Sequence, residues 1–332
     1  MSKDYLLADI GGTHARIGHF DGQFISTPVV LKIDDFDDPV ALFEEAAKEL
    51  NLKTFEIAIA AAGQELEKGK IQIPNNPNWS LDKAHFKKAG RPIEFWTNDF
   101  FATAYGALTL GHDDLETLIP GEAIPQASKV ICGPGTGIGL AYADYIKELK
   151  SYRVRETFGG WFPIAAMTQE QALVLRTVRA VKNDPDQKSM GFEDVIAGRG
   201  MPDLYRALCR IHGASCADEI VTSILSHPEA DLFEETLRLF HEFLGIFLQT
   251  VVIAGHGLGG VYLDGGVIQK VCDKGLFDPH AVTSTFHANV HTKHQSTTPI
   301  YDALLQVPVK RIDSPYVALS GLKFIIDNGI EI

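Results

Sequence analysis

A short apolar run that breaks into glycine and threonine and resumes as a second apolar run is written twice in this chain. The copies are Leu6-Leu7-Ala8-Asp9-Ile10-Gly11-Gly12-Thr13 and Val130-Ile131-Cys132-Gly133-Pro134-Gly135-Thr136-Gly137-Ile138-Gly139. Each predicts a strand, a tight turn and a returning strand. A third glycine turn, Asp264-Gly265-Gly266, follows the strand-like Val261-Tyr262-Leu263. Glycines there let backbone N–H groups approach an anion with no Cβ in the way, and threonine adds a hydroxyl donor. Two such turns can grip one polyphosphate from opposite sides, which points to nucleotide chemistry. No fixed short period accompanies the echo, so it reads as a repeat of whole domains.

The segments between the turns fit an α/β plan. With 332 residues there is room for two domains. Asp21-Gly22 signals a hairpin into a strand over 24–30, residues 39–50 have helical apolar spacing, and 55–62 reads as a buried strand. A strand over 93–97 ends at Asn98-Asp99, ahead of a helical 100–108. Polar groups at the carboxyl end of such a strand lie where open α/β sheets bind ligands. The pattern loosens over 111–127, a plausible domain junction. Beyond the second turn come strands over 139–146 and 151–155, helices over 168–181, 200–211 and 231–253, a strand over 307–312 and a helix over 317–326.

Acidic residues number 43 against 30 basic, a net charge of −13, so neither nucleic acid nor an anionic membrane is an expected partner. The apolar run 243–254 is too short for a membrane span and contains Gln249 and Thr250. The chain passes from Met1-Ser2-Lys3-Asp4 into a strand without a signal peptide, so a cytoplasmic location is expected. Cys132, Cys209, Cys216 and Cys272 form no CxxC pair and read as reduced, with neither a disulfide framework nor structural zinc.

Five motifs occur in order: Ala8-Asp9-Ile10-Gly11-Gly12-Thr13-His14-Ala15-Arg16; Thr97-Asn98-Asp99-Phe100; Gly133-Pro134-Gly135-Thr136-Gly137; Glu193-Asp194-Val195-Ile196-Ala197-Gly198-Arg199-Gly200; and Gly259-Gly260-Val261-Tyr262-Leu263-Asp264-Gly265-Gly266. Together they resemble the glucokinases of the hexokinase and actin-like ATPase superfamily, in the bacterial type without a zinc-binding cysteine motif. The resemblance runs from Leu6 to about Leu322. It implies an α/β, two-domain hexokinase/actin-like (ribonuclease H-like) fold, with a small domain of 1–109 plus 315–332 and a large helix-rich domain of 110–314.

It also implies an ATP-dependent hexose kinase. Gly11, Gly12, Thr13, Arg16, Gly133, Gly135, Thr136 and Gly137 would face the ATP phosphates in a cleft, with adenine near Gly265 and Gly266. Asp9 would hold Mg²⁺ through water, since that ion prefers one or two carboxylates plus phosphates. Taken alone, Asp9 reads most often as a turn former, and Arg16 equally as a surface strand charge. Members of the family commonly form homodimers, so a homodimer is one expectation.

Asp99 matches the Asp of the family's Asn-Asp pair, the base toward the sugar 6-hydroxyl, although Asn98-Asp99 by itself reads as a helix cap. Glu193 matches a sugar ligand, and Asn75 or Asn76, near Trp79, would line the pocket. One motif departs. Where the family carries Glu-Gly-Gly-His, this chain has Phe158-Gly159-Gly160-Trp161, with aromatics at the two ligand positions for the C1 and C2 end of glucose. Glu156 would share a strand face with Phe158 and partly compensate if the strand is regular. The readings that follow are a glucokinase with an altered pocket; a kinase for an amino, acetamido, anhydro or deoxy sugar; and an inactive sugar-sensing regulator. An actin-like filament fits Asn98-Asp99 poorly. His287, His291 and His294 have helical spacing but no acidic partner, and read as a solvated face rather than zinc ligands.

Overall fold

The computed structural model describes residues 4–73, 79–184, 186, 189–216, 221–227, 232–288 and 299–332. The chain divides into two compact units, Met1–Leu115 with Asp313–Ile332, and Glu116–Ile312.

The first unit holds β1 (Tyr5–Ile10), β2 (His14–Phe20), β3 (Val29–Lys32), β4 (Glu56–Ala61), a small antiparallel sheet of β5 (Gln64–Glu67), β6 (Lys70–Gln72) and β7 (Ser80–Asp82), and β8 (Ile93–Asn98). Its main sheet has the order β3-β2-β1-β4-β8, antiparallel from β3 to β1 and parallel from β1 to β8. Side-chain alternation assigns the faces. Leu6, Ala8 and Ile10 meet Leu42, Phe43, Trp79 and Phe86, whereas Leu7, Ala58 and Ala60 meet Ala102, Leu319 and Leu322. The near-continuous apolar run of β4 is what a parallel strand covered on both faces requires. On the second face the helices Asp99–Ala107 and Val317–Asp327 cross at glycines. A Cβ on Gly106 would overlap the Val317 carbonyl, and one on Gly321 the Ala102 carbonyl.

The second sheet comprises β9 (Leu115–Ile119), β10 (Lys129–Pro134), β11 (Ile138–Ile146), β12 (Ser151–Thr157), β13 (Val261–Leu263) and β14 (Val309–Ile312), in the order β12-β11-β10-β13-β14-β9. From β12 to β14 it repeats the first sheet: two antiparallel pairings, then two parallel ones. The twin glycine turns of the sequence are the β1–β2 and β10–β11 turns. This doubled order is the two-domain hexokinase/actin-like fold that the resemblance implied. The second unit's core gathers around the helix Phe233–Gly255, packed against Pro279–Phe286 and Gly200–His212.

Three expectations change. The strand placed over 24–30 is delayed, because Asp21 Oδ1 accepts N–H bonds from Gln23 and Phe24 at 2.8 and 2.7 Å and turns the chain. An isolated antiparallel bridge joins Phe20 to Ile25, and continuous pairing resumes as β3 only after Pro28. The loose segment 111–127 contains β9, an edge strand whose Leu-Glu-Thr-Leu-Ile lacks clean alternation. The apolar run 243–254 belongs to a 23-residue helix, long and apolar enough to span a membrane by those criteria; its side chains are instead largely buried within the unit.

Candidate functional site

In the first unit, the β1–β2 turn is closed by Gly11 N–H donating to His14 O at 3.0 Å, and Ile33 N–H bonds to Thr13 O at 3.0 Å. Gly11 and Gly12 are half-buried and Thr13 is exposed. Asp9 and Arg16 stand opposite in the β1–β2 register and form an ion pair at 3.2 Å, with side chains 18% and 40% exposed. In register, Asp9 lies beside Ala60 and Ala60 beside Thr97. Asp9 is therefore two strand spacings, about 10 Å, from the end of β8. There Asn98 caps the helix Asp99–Ala107, its Oδ1 accepting from Phe100 N–H at 2.9 Å and Phe101 N–H at 3.3 Å. Asp99 is the first helical residue, half-buried, with Oδ1 also accepting from Phe100 N–H at 2.9 Å. The cap fixes the start of the helix on which Asp99 stands. One sheet end carries the glycine turn and the carboxylates of Asp9 and Asp99.

In the second unit, a Cβ on Gly133 would overlap the Asp264 carbonyl, so the chain leaving β10 touches the chain leaving β13 backbone to backbone. Asp264 N–H donates to Cys132 O at 3.0 Å, and Gly265 follows at φ +106°, a conformation glycine tolerates, before the helix Gly266–Asp273 begins. Gly133, Gly135, Gly265 and Gly266 are thereby brought together. Gly135 N–H bonds to Gly137 O at 2.8 Å, while Gly135 O accepts from Gly198 N–H at 2.8 Å. Thr136 is exposed at the tip. Glu193 braces the same turn: its Oε1 accepts from Ile138 N–H at 3.0 Å and its Oε2 pairs with Arg199. Cβ atoms on Gly137 and Gly160 would come within 2.8 and 2.9 Å of Glu193 Oε1, so a side chain at either position would push that carboxylate aside.

The sequence profile of the glucokinase family matches residues 6–329. The chain belongs to the glucokinase family. By that membership it is an ATP-dependent hexose kinase. A glucokinase of Agrobacterium fabrum is 28% identical over 337 residues, covering 97% of this chain and 91% of its own length. One of Paramagnetospirillum magneticum is 27% identical, covering 97% of each chain. Among solved structures, a glucokinase from an Antarctic psychrotroph superposes with a TM-score of 0.79 at 24% identity, covering 99% of this chain and 100% of its own. The Balamuthia mandrillaris glucokinase, solved with glucose, gives 0.75 at 16% identity, covering 98% and 94%.

For a glucokinase-family chain, the departing motif is the notable part. β12 ends at Thr157; Phe158 leaves extended geometry at φ −93°, ψ 42°, and Gly159–Trp161 forms a short 3₁₀ turn. Glu156 and Phe158 therefore do not share a regular strand face, and the compensation expected of Glu156 loses its geometric basis. Partial burial of the Glu156 carboxyl raises its pKa above the ordinary carboxylate value. Phe158 and Trp161 stack at 5.3 Å between centroids and 19° between planes, and are 66% and 65% exposed.

Asn75 and Asn76 lie outside the described residues. Trp79 is a core residue, its indole N–H donating to Phe36 O at 3.2 Å. His287 terminates the helix Pro279–Phe286 instead of continuing it, and His291 and His294 lie outside the described residues. No group of three or more potential metal-ligating residues is found among the described residues. Asp9 is consistent with Mg²⁺ all the same, since that ion takes few protein carboxylates when phosphate supplies the rest. Sequence reasoning missed Arg199 as a site residue. It stands within a quoted motif, but nothing in a six-residue spacing across the helix Glu193–Ile196 signals its pairing with Glu193.

Proposed function

We propose that the protein transfers the γ-phosphoryl group of ATP to the 6-hydroxyl of a hexose, giving the hexose 6-phosphate and ADP, with D-glucose the reference acceptor. The observation that carries this reading is the placement of the helix-capped Asp99 on the same sheet end as the Asp9 turn. The Asp99 carboxylate takes the hydroxyl proton as the sugar oxygen attacks phosphorus, and the bond from phosphorus to the bridging oxygen breaks to release ADP. Asn98 and Glu193 orient the sugar. Backbone N–H groups of 11–13 and 133–137, with the Thr13 and Thr136 hydroxyls, hold phosphate oxygens; Arg16 adds charge, and Gly265-Gly266 leave space for adenine. Asp9 would hold Mg²⁺ through water, and the bound ion neutralises phosphate charge.

The exposed Phe158–Trp161 pair favours a second reading within the same chemistry, an acceptor modified at C1 or C2. Replacing two hydroxyl-binding groups forfeits hydrogen bonds worth about 1.5–3 kcal/mol each when one partner is charged. The test is ADP release with ATP, Mg²⁺ and a hexose panel, followed by ³¹P NMR of the product. A 6-phosphate is expected, with 6-deoxy sugars inert. Turnover of 6-deoxy sugars, or no ADP from any hexose, overturns the reading.

A further inference from the structure

A pocket in the second unit is lined by residues that include Gly160, Trp161, Ser189, Glu193, Asp194 and Arg199. Both its carboxylates are already engaged. Glu193 holds Ile138 N–H and Arg199; Asp194 holds Gly191 N–H at 2.8 Å and Lys182. Their side chains are only 14% and 13% exposed. The Arg199 side chain is 63% exposed, lines the pocket, and has guanidinium N–H donors beyond the one bound to Glu193. Beside those engaged carboxylates, which keep lone pairs for sugar hydroxyls, the pocket offers a ligand the Arg199 donors and the Trp161 ring, with Phe158 stacked on it.

That combination discriminates among modified hexoses. A free amine at C2 brings a cation beside Arg199. A deoxy or anhydro carbon brings apolar surface but no acceptor for the guanidinium. An N-acyl amino group brings both, a carbonyl oxygen for the N–H donors and a methyl group for the rings, whose exposed faces recover hydrophobic free energy when covered. We propose that the preferred acceptor is an N-acyl amino hexose, its acyl carbonyl bound by Arg199 and its methyl group seated on the Phe158–Trp161 stack. The inference rests on the hexose-kinase reading above and narrows its substrate.

Trp161 makes the test direct, because the other two tryptophans, Trp79 and Trp96, are 3% and 6% exposed. Iodide-quenchable fluorescence thus reports Trp161. Titration of the whole protein with N-acetylglucosamine, N-acetylmannosamine, glucosamine and glucose should show an N-acetyl sugar protecting Trp161 at concentrations at least tenfold below glucose or glucosamine. The ratio of kcat/KM for that sugar to kcat/KM for glucose should fall at least tenfold in Trp161→Ala and in Arg199→Met. Protection by the N-acetyl sugars within tenfold of glucose, or an unchanged ratio in the variants, overturns the inference and leaves the kinase reading standing. Failure to phosphorylate any hexose overturns the kinase reading, and Trp161 protection still decides the ligand class.

Discussion

Glu193 makes two bonds of different worth, and replacing each partner separately measures them. The pair with Arg199 involves a guanidinium side chain that is 63% exposed, so solvent screens it and its loss costs at most about 1 kcal/mol. The bond from Ile138 N–H is another matter. Ile138 is 7% exposed, and its N–H donates to the Glu193 carboxylate from a position with little access to water. Removing the carboxylate strands a buried donor, which costs about 1–3 kcal/mol on top of a lost charged hydrogen bond. Arg199→Gln should therefore destabilise by under about 1 kcal/mol and Glu193→Ala by about 2–4 kcal/mol. For a unit of this size that corresponds to roughly 2–4 °C per kcal/mol in the calorimetric midpoint. Because Ile138 follows Thr136-Gly137 directly, Glu193→Ala should also raise the KM for ATP more than Arg199→Gln does. An Arg199→Gln loss equal to or larger than that of Glu193→Ala would refute this ordering.

Other outcomes follow from the same structure. His241 is buried, donates from Nδ1 to Leu237 O at 2.7 Å and accepts at Nε2 from Asp278 N–H at 3.3 Å, so protonation would set a donor against a donor. Burial pushes its pKa down to about 4 from 6.5. The unfolded chain binds a proton through that window and the folded protein does not, so stability present above pH 6.5 falls by about 3 kcal/mol as pH drops toward 4. Urea denaturation of wild type and His241→Gln across that range should show the slope shrinking in the variant; parallel curves would exclude it. Gly321→Ala should destabilise the first unit by about 1–3 kcal/mol or more, because its Cβ would overlap the Ala102 carbonyl, and an unchanged thermal midpoint would contradict that packing. Asp9→Asn should raise the free Mg²⁺ needed for half-maximal rate at least tenfold, whereas an unchanged Mg²⁺ dependence removes Asp9 from the metal's environment.

Legibility in the sequence followed the range of the interactions. The strand, glycine turn and strand pattern is local, so both copies were readable and both became the inner hairpins of matching sheets. Asn98-Asp99 was readable for the same reason, as a cap signal at a strand end. β9 was not: its place depends on β14, nearly the whole second unit away in sequence, and an edge strand needs no strict alternation. Arg199 was hidden because its role arises only once the chain from Glu193 to Gly198 is pinned to the glycine turn at Ile138 and Gly135. The expected Glu156–Phe158 face failed on one residue, since regular alternation holds only to Thr157 and the 3₁₀ turn re-aims Phe158.

The central claim is that Asp99 accepts the proton of the attacking hydroxyl. Rapid-quench single-turnover measurement of γ-phosphoryl transfer in Asp99→Asn, at saturating ATP and with the best acceptor, isolates that step. Asparagine keeps the size of the side chain but cannot take the proton. Transfer should slow by about 10²–10⁴-fold with the Kd for ATP unchanged, and transfer within tenfold of wild type would contradict the account.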